Sequence, residues 1–137
     1  MKELTKKEVY DLVVEHLLTQ KERCVSDYDE SECLYRNESG LKCAVGALIP
    51  DNIYRPIIEH GDLRSSNDGP DENDAALQMT LICQGVTEKH FPMLNALQDL
   101  HDKHMPEDWI EELKPIRKRF NVKKHELEKT TRLTAAD

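Results

Sequence analysis

Aromatic side chains are scarce in this sequence: Phe, Tyr and Trp together make up 5% of its 137 residues, and there is a single Trp. Charged residues, in contrast, make up 34%. A chain of this length is still sufficient for one domain with its own core. We therefore expect a modest core that is built mainly from Leu, Ile, Val and Ala.

Long hydrophobic runs are also missing. No apolar stretch approaches the roughly 20 residues that a membrane helix requires, and the first ten residues, MKELTKKEVY, lack the apolar region of a signal peptide. These absences predict a cytosolic protein without membrane contact. Thiols are normally reduced in that compartment, so Cys24, Cys33, Cys43 and Cys83 are expected to be free; a Cys33–Cys43 disulfide stays open as the minor alternative, because it depends on the register of the pairing between these two segments.

Motifs of common catalytic sites do not occur. There is no phosphate loop, dinucleotide fingerprint, G-x-S-x-G or H-E-x-x-H, and the cysteines form no C-x-x-C pair that would indicate zinc. Two weaker candidates stay open: Cys43 as a nucleophile near a helix start, and a metal held by His90, His101 and His104. The sequence favours a non-enzymatic protein without a cofactor and leaves catalysis open.

Helical periodicity predicts four main helices. The first covers residues 6–20, because the segment from Thr5 to Glu8 has the form of a capping box. The second covers residues 74–83, with Asp71 or Asp74 as its N-cap. A third extends from near Phe91 to His104 and a fourth from Pro106 to Asn121. The short apolar run 44–49 adds one or two helical turns.

A small β-hairpin is expected in the stretch 33–54, CLYRNESGLKCAVGALIPDNIY. Residues 33–36 are rich in strand formers, and Asn37-Glu38-Ser39-Gly40 has the composition of a turn in which Gly40 can adopt a left-handed conformation. Residues 41–43 can then return antiparallel. The predicted fold is therefore α+β: four to five helices and one hairpin, in a single domain over residues 1–121. The polar tail 122–137 is predicted to be disordered or docked on a partner.

The charges are separated along the chain. The formal net charge is −8, which opposes general nucleic-acid binding. Acids concentrate between Glu22 and Asp74, and the acidic loop 62–74 within that range is a candidate contact surface. Bases concentrate in the segment 114–132, which could contact phosphate, an acidic partner, or the acidic segments of a second copy in a homodimer. The candidate partner-binding residues are Asp68, Asp71, Glu72 and Asp74 on the acidic side and Lys114, Arg117, Lys118 and Arg119 on the basic side.

The pattern C-x-Y-R followed by G-L-K-C-A-V-G-x-L-I-P-D-x-x-Y resembles a group of small proteins from tailed bacteriophages and their bacterial hosts. A related L-Q-x-L-H-D pattern, matched here by residues 97–102, and a P-x-x-W segment, matched by residues 106–109, recur in that group. The resemblance extends to about the end of this second segment and does not include the tail. It implies a viral accessory role in the host-cell cytoplasm and assigns no catalytic residue.

These features lead to three hypotheses. The leading one is a non-catalytic, phage-type accessory protein that binds a host protein or protein complex through charged surfaces. The alternative is a protein that binds and sequesters a small ligand or nucleotide, with stacking and phosphate contacts from Tyr35, Arg36, Lys42 and Tyr54. The third is a small enzyme that depends on a cysteine or a metal.

Overall fold

The computed structural model describes residues 3–26, 28, 33–63 and 71–129. Over these residues the chain forms four long α-helices: α1 (Lys6–Gln20), α2 (Glu72–Cys83), α3 (Phe91–Lys103) and α4 (Trp109–Phe120). Short 3-10 helices lie at Gly46–Leu48, Pro56–His60, Glu88–His90 and Pro106–Asp108. No helix in the described ranges combines the length and the apolar character needed to cross a membrane.

Helix α1 has a capping box at its start and a left-handed residue at its end. The Thr5 hydroxyl accepts the backbone N–H of Glu8 at 3.1 Å, and the Glu8 carboxylate accepts the backbone N–H of Thr5 at 2.8 Å, which is the predicted capping box. The helix ends at Lys21, whose backbone is left-handed with a φ of 57°. The buried face of the helix consists of Val9, Tyr10, Val13, Val14, Leu17 and Leu18.

The prediction of an α+β fold with a β-hairpin is wrong. The described residues are mainly helical and contain no β-strand; two isolated antiparallel bridges, Val25–Cys33 and Arg36–Lys42, are the extent of the β pairing there. The reason is a competing acceptor. The backbone N–H of Tyr35, which would pair with the Cys43 carbonyl in a longer ladder, donates instead to the carboxylate of Glu59 at 2.8 Å, and the Cys43 carbonyl accepts the N–H of Ala47 at 3.0 Å. The backbone N–H of Arg36 also donates to Glu59, at 3.1 Å. The predicted turn does form, with Gly40 at a φ of +89°.

Gly46 fixes the position of the segment that was expected to be a strand. A Cβ atom at residue 46 would lie 1.9 Å from the carbonyl oxygen of Tyr35, a distance that only glycine avoids. The 3-10 helix that begins at Gly46 therefore packs directly on the backbone beside Arg36. This close approach holds the central stretch in place without a sheet.

Helices α3 and α4 pack against each other and complete the core. Trp109 is buried at the start of α4 and stacks on the His101 ring of α3, with 5.8 Å between ring centroids. The Trp109 indole N–H donates to the carbonyl of His104 at 3.1 Å. Leu97 and Leu113 are fully buried in the same core. Burial of each such side chain contributes about 1.5–3 kcal/mol.

Residues 122–129 fold back onto the helices. Glu128 is 2% exposed, and its carboxylate accepts hydrogen bonds from Arg117 of α4 at 2.8 Å and from the hydroxyl of Tyr10 of α1 at 2.9 Å. The backbone N–H of His125 also donates to it at 2.7 Å. The domain boundary expected at residue 121 stays a prediction, and residues 130–137 lie outside the described part of the chain.

Candidate functional site

Two cations of the central stretch converge on one exposed carboxylate. Arg36 Nη2 lies 2.9 Å and Lys42 Nζ 3.1 Å from Oδ1 of Asp51. The Asp51 side chain is 81% exposed, whereas the Arg36 side chain is only 16% exposed. Hydrogen bonding to Lys42, and then the positive charges of Lys42 and Arg36, lower the pKa of Asp51 below its ordinary value. Asp51 is therefore an ionised, solvent-facing anion held by two more deeply placed cations.

The Arg36 guanidinium is held between an aromatic ring and the backbone. Its Cζ lies 4.4 Å from the ring centroid of Tyr54, within the range of a cation–π contact. Its Nη2 also donates to the carbonyl of Ile49 at 3.0 Å. The Nε–H is buried and has no hydrogen-bond partner among the described residues. The guanidinium thus has a fixed orientation and an unused donor.

Glu59 positions both the arginine and the tyrosine. Its carboxylate accepts the backbone N–H groups of Tyr35 and Arg36 and also the hydroxyl of Tyr54. Burial, followed by this bond to Glu59, raises the pKa of Tyr54, so the phenol is neutral at physiological pH. The Tyr54 ring is therefore held under the guanidinium by a side chain from a neighbouring 3-10 helix.

Helix α1 positions Lys42 through its backbone. The Gln20 side chain accepts the N–H of Lys42 at 3.0 Å and donates to its carbonyl at 2.8 Å. His16 Nε2 is 3.0 Å from the same carbonyl, so this nitrogen carries a proton and donates. Burial lowers the pKa of His16, and the ring is neutral. Both cations thus extend from a backbone that is fixed at several points.

The side chain of Tyr35, the fourth residue of the predicted ligand set, lies away from Asp51. Its hydroxyl donates to the carbonyl of Gly61 at 2.6 Å. It lines a cleft of about 170 Å³ together with Asp99 and Asp102, which is smaller than the roughly 300–1,000 Å³ of typical ligand pockets. The structure therefore brings together Arg36, Lys42 and Tyr54, whereas the Tyr35 hydroxyl bonds elsewhere and does not reach Asp51, the carboxylate that Arg36 and Lys42 share.

A second cluster contains Cys33, His101 and Asp102, whose potential metal-ligand atoms all lie within 4.8 Å of one another. The backbone N–H of Cys24 donates to His101 Nε2 at 2.8 Å, and His101 Nδ1 lies 2.7 Å from Asp102 Oδ1. Since Nε2 accepts a hydrogen bond, the proton of the neutral ring is on Nδ1 and points at Asp102. A histidine that binds a metal normally donates from its other nitrogen, and here that nitrogen accepts. The hydrogen bonding fits a structural link between α3 and the loop at Cys24 better than a metal centre.

The thiols of Cys33 and Cys43 lack the features of a nucleophile. Burial, and then the charge of Asp102, raise the pKa of Cys33, although Arg23 donates to its sulfur at 3.3 Å. Cys43, the residue singled out from the sequence, is fully buried, and burial raises the pKa of its thiol well above the ordinary value. Its sulfur does accept the N–H of Gly46 at 3.3 Å, as expected near a helix start, but desolvation outweighs this bond.

The other two predicted histidines lie apart from that cluster. His90 is buried, and its Nδ1 accepts the N–H of Thr87 at 3.0 Å at the start of a helix. His104 Nε2 lies 3.7 Å from a carboxylate oxygen of Glu112. Within the described residues, the group of potential metal ligands includes His101 but neither His90 nor His104.

Part of the predicted acidic surface is used to start α2. Asp71 and Asp74 form a reciprocal capping box, with backbone-to-carboxylate distances of 2.8 and 3.1 Å, and Asp74 also accepts the N–H of Asp62 at 2.8 Å. Glu72 remains exposed. Asp68 lies outside the described residues.

The basic surface is reduced in the same way. Arg117 forms the buried ion pair with Glu128, and Lys114 lies 3.0 Å from Glu111. Lys118 and Arg119 are exposed, and the Arg119 guanidinium covers the ring of Phe120 at 4.7 Å. Of the four predicted basic residues, only Arg117 is withdrawn from the surface, since the Lys114 side chain is still 42% exposed.

Sequence reasoning missed Asp51, Glu59 and the link between Cys33 and Asp102. Glu59 had a usable signal, since it is an isolated acid beside the apolar pair Ile57-Ile58, and a carboxylate near a core needs donors. The sequence signal for Asp51 was weaker: it follows Pro50 at the start of a turn, where an aspartate is common whether or not it binds a cation. Nothing in the sequence places Cys33 beside α3.

The chain matches no protein-family model, no curated protein and no solved structure. The resemblance to small phage proteins therefore stays a prediction, and the function has to be inferred from the geometry of the chain itself.

Proposed function

We propose that this protein is a non-catalytic binding protein that takes an anionic group, a phosphate or a carboxylate, between Arg36 and Lys42. The observation that carries the proposal is the convergence of these two cations on the exposed carboxylate of Asp51. In this view, Asp51 occupies the place of the ligand in the unbound protein.

Asp51 is a weak competitor for that place. Exposed ion pairs are typically worth about 0–1 kcal/mol, and the Asp51 side chain faces solvent. A phosphate offers more charge and three acceptor oxygens, and arginine is suited to bind two of them at once. The buried Nε–H of Arg36 is a donor that a bound oxyanion could satisfy after a small movement of the side chain.

The two cations are preorganised, which lowers the entropic cost of binding. Tyr54 and the Ile49 carbonyl hold the guanidinium, and Gln20 and His16 hold the backbone of Lys42. Two described groups beside Lys42 could in principle act as a nucleophile or a base, and neither is free to do so. The Cys43 thiol is fully buried, and His16 already donates to the Lys42 carbonyl. Binding is therefore better supported than a reaction.

The experiment is a calorimetric titration with inorganic phosphate and then with nucleoside mono- and diphosphates. We expect saturable binding that weakens about tenfold or more in Lys42→Gln, since one charge-assisted hydrogen bond is worth about 1.5–3 kcal/mol. Lys118→Gln, which removes an exposed lysine on α4, is the matched control and should bind normally. Equal weakening in both variants would indicate a net-charge effect only, and no saturable binding by wild type would contradict the proposal.

A host macromolecule as partner, the leading hypothesis from the sequence, is a second candidate on the basic side. The observation in its favour is that Lys118 and Arg119 lie next to each other on the exposed surface of α4. The double variant Lys118→Glu/Arg119→Glu should lose a partner captured from a bacterial-host lysate, and Lys42→Gln should retain it. Capture that survives the double variant would exclude this surface.

A further inference from the structure

The anion site formed by Arg36 and Lys42 has a donor that Asp51 does not use. Both cations contact the same carboxylate oxygen, since Arg36 Nη2 lies 2.9 Å and Lys42 Nζ 3.1 Å from Oδ1 of Asp51. The Nε–H of Arg36 is buried and has no hydrogen-bond partner among the described residues. Nε and Nη2 share one edge of the planar guanidinium, so Asp51 engages only half of that edge.

The unused donor is built into the unbound site. The ring of Tyr54 lies 4.4 Å from the guanidinium carbon, and the Ile49 carbonyl accepts from Nη2 at 3.0 Å. These two contacts oppose the large rotation that would bring Nε into water. Because a buried donor without an acceptor costs free energy, a ligand oxygen that reaches Nε after a small movement of the side chain removes that cost.

The number of donors indicates the class of ligand. Without Asp51, the site offers three donor groups: Nε and Nη2 of Arg36 and Nζ of Lys42. A carboxylate has two oxygens, so one of them must be shared between two donors, as Oδ1 of Asp51 is. A phosphodiester also has only two unesterified oxygens. A phosphomonoester has three, with a charge of about −1.5 to −2 at neutral pH, and arginine binds phosphate oxygens through two parallel N–H groups.

We propose that the site selects a phosphate dianion, free or at the end of a phosphomonoester, over carboxylates and phosphodiesters, and that the Nε–Nη2 edge of Arg36 makes this selection. This inference rests on the proposed function and narrows its ligand. The three phosphate oxygens accept from Nη2, Nε and Lys42 Nζ, one each. The Asp51 side chain, which is 81% exposed, turns into solvent when the phosphate enters.

Calorimetric titration of the wild type with methyl phosphate, dimethyl phosphate and acetate compares the three classes of anion. We expect methyl phosphate to bind at least about tenfold more tightly than either of the others, which is the effect of one additional charge-assisted hydrogen bond. Similar affinity for all three would overturn the selection and leave the proposed anion site intact. Binding of none of them would contradict both proposals.

Inorganic phosphate in the same series distinguishes the two sources of the dianion. Tighter binding of methyl phosphate would indicate a phosphomonoester, and equal or tighter binding of inorganic phosphate would indicate the free ion. Either result supports selection of the dianion. Inorganic phosphate that binds as weakly as acetate would contradict it.

Arg36→Lys tests the guanidinium edge, because lysine keeps the positive charge but replaces the planar fork with a compact ammonium group. We expect the preference for methyl phosphate over acetate to fall by about tenfold, the value of the lost hydrogen bond. Arg119→Lys, which changes an exposed arginine of α4, is the matched control and should keep the preference of the wild type. An unchanged preference in folded Arg36→Lys protein would mean that charge alone discriminates, and would overturn the role of the edge. The wild-type comparison of ligands does not depend on this variant.

Discussion

Two groups in this protein combine an arginine, a carboxylate and a tyrosine, and they differ in burial. Arg117 and Glu128 are 2.8 Å apart with the Glu128 side chain 1% exposed, and Tyr10 donates to the same carboxylate. Arg36 and Asp51 are 2.9 Å apart with the carboxylate in solvent, and Tyr54 lies under the guanidinium instead. The buried group holds residues 122–129 against the helices. In our proposal, the exposed group exchanges the carboxylate of Asp51 for another anion.

The difference follows from solvation. Removing one partner of a buried ion pair leaves a desolvated charge and is costly, whereas an exposed pair is replaced by water at little cost. Burial, and then the charge of Glu128, raises the pKa of Tyr10. Asp51 is exposed to solvent, and the hydrogen bond to Lys42 and the charges of Lys42 and Arg36 lower its pKa. Four changes test this comparison.

The largest effect is expected for Glu128→Ala. The change leaves Arg117 and Tyr10 without their shared acceptor, and we expect the free energy of unfolding to fall by about 3–5 kcal/mol. Chemical denaturation measures it. Glu126→Ala, which removes an exposed carboxylate of the same segment, should change the stability by less than about 0.5 kcal/mol. A loss as small as that of the control would mean that Glu128 does not hold the segment.

Gly46→Ala should act on the support of the exposed group. The new Cβ would collide with the Tyr35 carbonyl, and we expect a loss of about 1–3 kcal/mol together with weaker phosphate binding, since the Arg36 backbone must move. Gly40→Ala is the comparison: its Cβ meets nothing within 4 Å, but its φ of +89° is strained, so about 1 kcal/mol is expected with binding retained. Thermal unfolding and calorimetry distinguish the two. Normal binding by folded Gly46→Ala protein would contradict the role of the close approach.

Asp51→Asn should be nearly neutral for stability. Asparagine suits the same turn, and the lost pairs are exposed, so the free energy of unfolding should change far less than in Glu128→Ala. Denaturation under the conditions used for Glu128→Ala gives the direct comparison. A loss comparable to that of Glu128→Ala would mean that Asp51 is structural and not exchangeable.

The smallest effect concerns the titration of Asp51. The pKa of Asp51 is lower in the folded protein than in the unfolded chain. The ion pairs of Asp51 therefore contribute fully to stability at pH values above the pKa of the unfolded chain. This contribution is lost as the pH falls through the pKa of the folded protein. We therefore expect no contribution of Asp51 to pH dependence between pH 5 and 8. Lys42→Gln should return the midpoint towards the ordinary value, since Lys42 is the main cause of the shift. Carboxyl NMR titration of both proteins measures this, and an unchanged midpoint would count against the pair in solution.

Local signals were sufficient to predict the helices. The capping box at Thr5 and the apolar spacing predicted residues 6–20, which are the bounds of α1. Asp71, one of two N-caps considered, starts α2 at Glu72, two residues earlier than predicted. The third helix, expected from near Phe91 to His104, is observed at Phe91–Lys103. These features depend on neighbours a few positions apart, which a sequence displays directly.

The features that failed depend on distant residues. The hairpin was predicted from local composition, but Glu59, 24 positions from Tyr35, accepts the Tyr35 N–H that a longer ladder needs. The polar segment around Glu128 gave no sign of burial, because its partner Tyr10 is 118 positions away. Three of the four predicted ligand residues do meet, but the carboxylate that joins two of them, Asp51, was not among those selected. Side-chain competition at long range is what the sequence alone does not display.

The central claim is that Asp51 occupies an anion site, and calorimetric titration of Asp51→Asn with inorganic phosphate tests it most directly. If the claim is correct, removing the internal competitor makes phosphate bind more tightly than in wild type, while Lys42→Gln weakens it, so that the two variants move in opposite directions. Phosphate affinity that is unchanged or lower in Asp51→Asn, measured on folded protein, would contradict the claim and leave Arg36, Lys42 and Asp51 as a structural link.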